Sequence, residues 1–137
     1  MTNEVHVARA VATIATDSPQ YRVAIRAGAH DLVADEPASN GGGEAGPSPF
    51  GLLLSGLVAC TAITLRMYAE RKGWDSKPID VDARYDISSA GETTIMRIVT
   101  LPATLDASQR ERLAQIAEKT PVTKAVRAGT PIVTAFA

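Results

Sequence analysis

The sequence predicts an α+β fold in which a mostly antiparallel sheet wraps around one long central helix. Three observations predict it. A charge-free apolar run, Phe50 to Leu65, passes directly into Arg66, Glu70, Arg71 and Lys72. Strand-like segments joined by short turns lie on both sides of that run. No strand–helix–strand unit repeats, which argues against a parallel sheet. At 137 residues the chain reads as one domain, 1–137, large enough for a single core.

The elements follow in order. Val5 to Ile14 alternates as a strand, and Thr16-Asp17-Ser18-Pro19-Gln20 supplies a turn. Tyr21, Val23 and Ile25 alternate with Arg22, Ala24 and Arg26, which predicts a half-buried strand carrying both arginines on one face. After Ala27-Gly28, His30 to Ala34 returns as a third strand. Residues 35–48 form a long glycine-rich loop. Loops of that length inside a domain are commonly functional. It is not a phosphate loop, because no Gly-Lys-Ser/Thr follows the glycines.

Ser48 suits the N-cap of the central helix, Pro49 its first turn and Gly73 its stop. About 24 residues give a rod of about 36 Å. Four turns apolar on every side must be covered on every side. One small sheet covers only one side, so the remainder predicts an obligate homodimer. Gly56, Cys60 and Thr64 fall at i, i+4 and i+8, a stripe of small side chains that admits another backbone or a ligand.

Beyond Trp74, Ile79, Val81, Ala83, Tyr85 and Ile87 alternate with polar residues, and a second strand is expected at Thr93–Leu101 after the Ser89-Ala90-Gly91 turn. Asp106-Ala107-Ser108-Gln109 reads as a capping box opening a helix that Pro121 interrupts. A short helix, Val122–Ala128, and a closing strand, Ile132–Phe136, complete the chain.

Composition excludes several functions. Net charge is −1 with no basic cluster, so neither nucleic acid nor an anionic membrane is an expected partner. The apolar run of 16 residues falls short of the ~20 that span a bilayer, and no signal-peptide pattern opens the chain. One cysteine, Cys60, excludes an intrachain disulfide and fits a reducing compartment, so a cytoplasmic location is expected. A lone thiol in an apolar helix is either a small core hydrophobe or a nucleophile in a dry pocket.

The stretches Asp35-Glu36-Pro37, Gly41-Gly42-Gly43, Gly46-Pro47-Ser48-Pro49-Phe50-Gly51-Leu52-Leu53-Leu54, Ala59-Cys60-Thr61 and Thr64 through Trp74 resemble the OsmC/Ohr family of osmotically induced and organic-hydroperoxide-resistance proteins, in its OsmC-like branch. Leu113 through Val122 resembles that family's second motif. The resemblance implies an intertwined homodimer, two long helices enclosed by two sheets. It also implies reduction of organic hydroperoxides by a peroxidatic cysteine at the position of Cys60, with no cofactor. An N-terminal arginine would stabilise the thiolate, and Arg22 and Arg26 are the candidates, Arg26 favoured. A carboxylate near the helix start would orient it, and a second cysteine in a Cys-Pro-Val motif would resolve the sulfenic acid.

Two of those parts are absent. Thr120 occupies the second-cysteine position before Pro121-Val122, and Phe50 and Gly51 replace the carboxylate. A free cysteine titrates near ~8.5, and a dry pocket raises that value, so a nearby guanidinium becomes the main activating group. The sulfenic acid must then be resolved by an external thiol or by Cys60 of the partner subunit. The first reading is therefore a one-cysteine peroxidase acting on an apolar hydroperoxide. The alternatives are a homodimer that binds a small apolar ligand without peroxidase activity, and a purely structural homodimer. A metal site at His30, Asp31, Asp35 and Glu36 ranks below all three, since a solvated loop start explains those residues.

Overall fold

In the computed structural model, which describes residues 4–137, the first three strands form an antiparallel meander in the order β1-β2-β3. They span Ala10–Thr13, Val23–Ala27 and His30–Ala34. In β2, Val23, Ile25 and Ala27 are half-buried while Ala24 and Arg26 are exposed, the alternation the sequence predicts. Arg26 stands opposite Val11 on one side and Asp31 on the other. Arg22 lies one residue ahead of β2. The first strand is shorter than the Val5–Ile14 expected, and Val5 and Val7 are exposed.

The glycine-rich loop is organised by one carboxylate. Asp35 is buried, and its two oxygens accept from the backbone N–H groups of Glu36 at 2.8 Å, Ala45 at 3.1 Å and Gly43 at 3.2 Å. The Ala45 N–H, helped by those of Glu36 and Gly43 and by the charge of Arg22, holds this carboxyl below the usual aspartate value despite burial. Two glycines let the loop close. A Cβ on Gly42 would stand 1.9 Å from the Glu36 carbonyl oxygen, and one on Gly46 would stand 2.0 Å from that of Val33.

A depressed carboxyl stabilises the fold above its unfolded value and loses that contribution as pH falls through its folded value. Asp35→Asn, which replaces an acceptor oxygen by a donor, should therefore unfold at lower urea than wild type at pH 7. The gap should narrow as pH falls below about 4, where the unfolded carboxyl protonates first, and close once pH is below the lower folded value. Equal midpoints at pH 7 would show that the carboxylate is not what holds the loop.

The chain falls into two compact units, one up to Leu52 and one from Leu53 onward. Helix α1, Pro49–Lys72, begins in the first and continues through the second. Ser48 Oγ accepts from the Gly51 N–H at 3.1 Å, and Gly73 ends the helix at φ 72°. Leu57, Thr61, Leu65 and Ala69 recur every four residues and form its buried face. Leu53, Ile63 and Met67 remain 42%, 54% and 53% exposed, so this chain covers only one side of α1. At 24 residues and a mean hydropathy of 1.7 over its best window, α1 is long and apolar enough to cross a bilayer. The 16-residue count therefore does not separate a membrane span from a core helix.

The second unit has its own core. Leu65 packs with Leu105, Leu113 and Ala117, flanked by Trp74, Ile79 and Val99. Burying each leucine contributes roughly 1.5–3 kcal/mol. Strands β4, Asp80–Ile87, and β5, Thr93–Thr100, form a two-stranded antiparallel hairpin. Helix α2, Ala107–Ala117, opens with the expected capping box: Asp106 accepts from the Gln109 N–H, and the Gln109 side chain accepts from the Asp106 N–H. Helix α3, Pro121–Ala128, is N-capped by Thr120.

One expected element is missing. Residues 132–136 are not a strand, and Ile132, Val133 and Phe136 are 88%, 97% and 98% exposed. An extended segment becomes a strand only by hydrogen-bonding to an edge, and among the described residues no strand pairs with it.

Candidate functional site

Cys60 sits near the middle of α1, twelve residues in, and is half-buried. Its Sγ lies 3.9 Å from Thr64 Oγ1, one turn further along the same face. Gly56, one turn before, is exposed, and nothing lies within 4 Å of where its Cβ would stand. The small-residue stripe thus exists and is open. The thiol lies too far from either end of α1 for the helix dipole to assist it.

Beside this stripe lies a cluster that sequence reading missed. Arg97 on β5 has a side chain only 12% exposed. Its Nη1 donates to Thr61 Oγ1 at 2.9 Å and to Thr123 Oγ1 at 2.8 Å, and its Nη2 donates to the Ala117 carbonyl at 3.0 Å. One guanidinium thereby ties α1, the end of α2 and α3 to β5. Glu118 Oε1 lies 3.7 Å from Arg97, while the other Glu118 oxygen pairs with Arg127. A signal was present in the sequence. Ile95, Arg97 and Val99 occupy the inward register of β5, and a charge there is expensive unless paired.

Thr120, at the second-cysteine position, belongs to the same cluster. It is fully buried, its hydroxyl lies 2.6 Å from that of Thr123, and its Oγ1 also accepts from the Thr123 N–H at 3.3 Å. The bonds can all be satisfied together. Thr123 Oγ1 accepts from Arg97 and Thr120, and its own proton goes to the Ala117 carbonyl at 3.4 Å. Thr120 is therefore a capping and bridging residue, with no thiol chemistry available to it.

The other candidates have separate surroundings. Arg22 and Arg26 belong to the first unit, and Cys60 to the second. Arg26 is exposed and pairs with Asp31 at 2.8 Å, and Arg22 acts on Asp35. Phe50, at one of the two positions lacking the carboxylate, is exposed. Among the described residues no group of three or more His, Cys, Asp or Glu side chains could hold a metal ion. A cleft of about 680 Å³, bordered by Leu57, Tyr85, Arg97, Glu118, Thr123 and Arg127, lies in the second unit. Its walls combine apolar side chains with two guanidiniums and a carboxylate. Leu57 is one helical turn from Cys60.

Such a structure defines an α+β protein whose distinctive chemistry is one half-buried helical thiol without a disulfide partner. The pattern of the OsmC-like protein family matches residues 41–135. The chain belongs to that family. Solved structures share its fold. An OsmC-like protein from Mycoplasma pneumoniae superposes with a TM-score of 0.68 at 17% identity over 89% of this chain and 88% of its own. The organic hydroperoxide resistance protein OhrB of Bacillus subtilis does so with a TM-score of 0.60 at 23% identity, over 89% and 91%. An organic hydroperoxide resistance protein from Elizabethkingia anophelis, with crystallant-derived thiocyanate bound, gives a TM-score of 0.67 at 17% identity, over 92% and 91%. No curated protein matches the chain.

Proposed function

We propose that the protein is a thiol-dependent peroxidase that reduces organic hydroperoxides through Cys60 and is regenerated by an external thiol. The observation that carries this reading is the position of Cys60, half-buried on the open stripe of α1 in a chain of this family. The names of the Bacillus subtilis and Elizabethkingia anophelis proteins point the same way. The Cys60 thiolate attacks the terminal peroxide oxygen. An S–O bond forms, the O–O bond breaks and the alcohol leaves, giving the sulfenic acid. A small thiol condenses with it to a mixed disulfide and water, and a second thiol releases Cys60. Arg22 and Arg26 remain the proposed sources of the activating charge. Consumption of cumene hydroperoxide with dithiothreitol tests the reading. Wild type should turn over, and Cys60→Ser should fall to the uncatalysed rate. Equal rates would remove it.

A homodimer belongs to the same proposal. The half-exposed apolar face of α1 and the unpaired segment at 132–136 are both surfaces that a second copy can bury. Sedimentation at micromolar concentration should give a dimer, and a stable folded monomer would contradict this. A lone thiol also suits the cytoplasm, so the protein should fractionate with soluble cytoplasmic material, whereas recovery in membranes would place α1 in a bilayer. The open stripe equally favours a second reading, a small apolar ligand held by the dimer without turnover. Ligand binding by a Cys60→Ser variant that matches an inactive wild type would select it.

A further inference from the structure

On α1 the Thr61 hydroxyl follows the usual habit of a helical threonine, its Oγ1 donating to the carbonyl four residues back, Leu57, at 2.8 Å. Thr64 Oγ1 lies 3.9 Å from Cys60 Sγ, and either atom can be the donor. A thiol is a weak donor and a weak acceptor, so a contact with it is loose. A thiolate is an anionic acceptor, and hydrogen bonds to ionised groups are shorter and about twice as strong.

We infer that Thr64 is a catalytic residue: its hydroxyl donates to the Cys60 thiolate, favouring the reactive form and fixing the sulfur for attack. The catalytic meaning of the contact rests on the proposed peroxidase function, though the contact itself does not. The dipole of α1 is too remote to help the thiol, so a neutral donor on its own face is a local means of holding the anion. Thr64 transfers no proton. The peroxide oxygen bonds to sulfur, sulfur is oxidised to the sulfenic acid, and the departing alkoxide takes its proton from solvent. Both Cys60 and Thr64 are half-buried on one helical stripe, so a molecule reaching the thiol also reaches the hydroxyl.

Thr64→Val keeps the shape and removes the hydroxyl, and Thr64→Ser keeps the hydroxyl. The readout is iodoacetamide alkylation of Cys60 in the folded protein across pH. Thr64→Val should slow alkylation at pH 7 about two- to tenfold, the range spanned by one modest hydrogen bond. Its half-maximal point should move to higher pH while the alkaline plateau stays unchanged. Thr64→Ser should follow wild type. Superimposed profiles for Thr64→Val and wild type would overturn the inference, as would Thr64→Ser behaving like Thr64→Val. A displaced Thr64→Val profile in a protein that consumes no hydroperoxide would support the hydroxyl–thiolate contact and defeat only the peroxidase reading.

Discussion

Arg97→Met is expected to destabilise the protein by about 3 kcal/mol, a fall of roughly 10 °C in unfolding temperature for a chain of this size. The substitution removes the donors that Thr61, Thr123 and the Ala117 carbonyl share. Hydrogen bonds from a charged donor contribute about 1.5–3 kcal/mol each, while the bonds that remain, Thr120 to Thr123 and Thr123 to the Ala117 carbonyl, and methionine packing recover part of the sum. Glu118 still has Arg127, so the loss does not arise from a stranded carboxylate. Arg97→Lys should fall between the two, because one ammonium cannot span the positions that the planar fork bridges. Urea unfolding measures both variants. A loss below about 1 kcal/mol for Arg97→Met would show that the threonine cluster is held by packing instead.

The second large effect concerns oxidation chemistry. Wild type has nothing to intercept a sulfenic acid at Cys60, since Thr120 carries a hydroxyl that is already engaged with Thr123. Excess hydroperoxide should therefore drive the thiol to the sulfinic acid, and added small thiol should divert it to a mixed disulfide. Thr120→Cys should supply an internal partner, provided the two α-carbons come within ~7 Å. The variant loses the side-chain cap of α3, a cost of about 1 kcal/mol. One equivalent of hydroperoxide should then remove both of its thiols. Retention of one free thiol would show that position 120 does not resolve Cys60 in this chain.

Local signals carried much of the fold. The capping box at Asp106 and Gln109, the stop at Gly73, and the alternation of Val23, Ile25 and Ala27 depend on neighbours in sequence, and the structure has all three. The strand expected at 132–136 depends on an edge to pair with, which alternation cannot supply. The role of Asp35 was hidden for a related reason. Its partners Gly43 and Ala45 lie 8 and 10 residues away and contribute backbone groups that carry no side-chain signature.

The site divided along the same line. The candidacy of Cys60 and the absence of a second cysteine at Thr120 came from the family resemblance of the stretches around them. Arg97 was not visible in this way, because its meaning depends on three partners 20 to 36 residues distant. Only the inward register between Ile95 and Val99 hinted at it. Thr64 was read as a small side chain on a stripe, and the direction of its hydroxyl is a rotamer choice that sequence does not record.

Intact-mass spectrometry of wild type before and after cumene hydroperoxide, with dimedone present, tests the central claim most directly. The account predicts a dimedone adduct on Cys60 at one equivalent, a gain of two oxygens at large excess without the trap, and no internal disulfide at any dose. A Cys60 thiol that stays unmodified under a large excess of peroxide would contradict it.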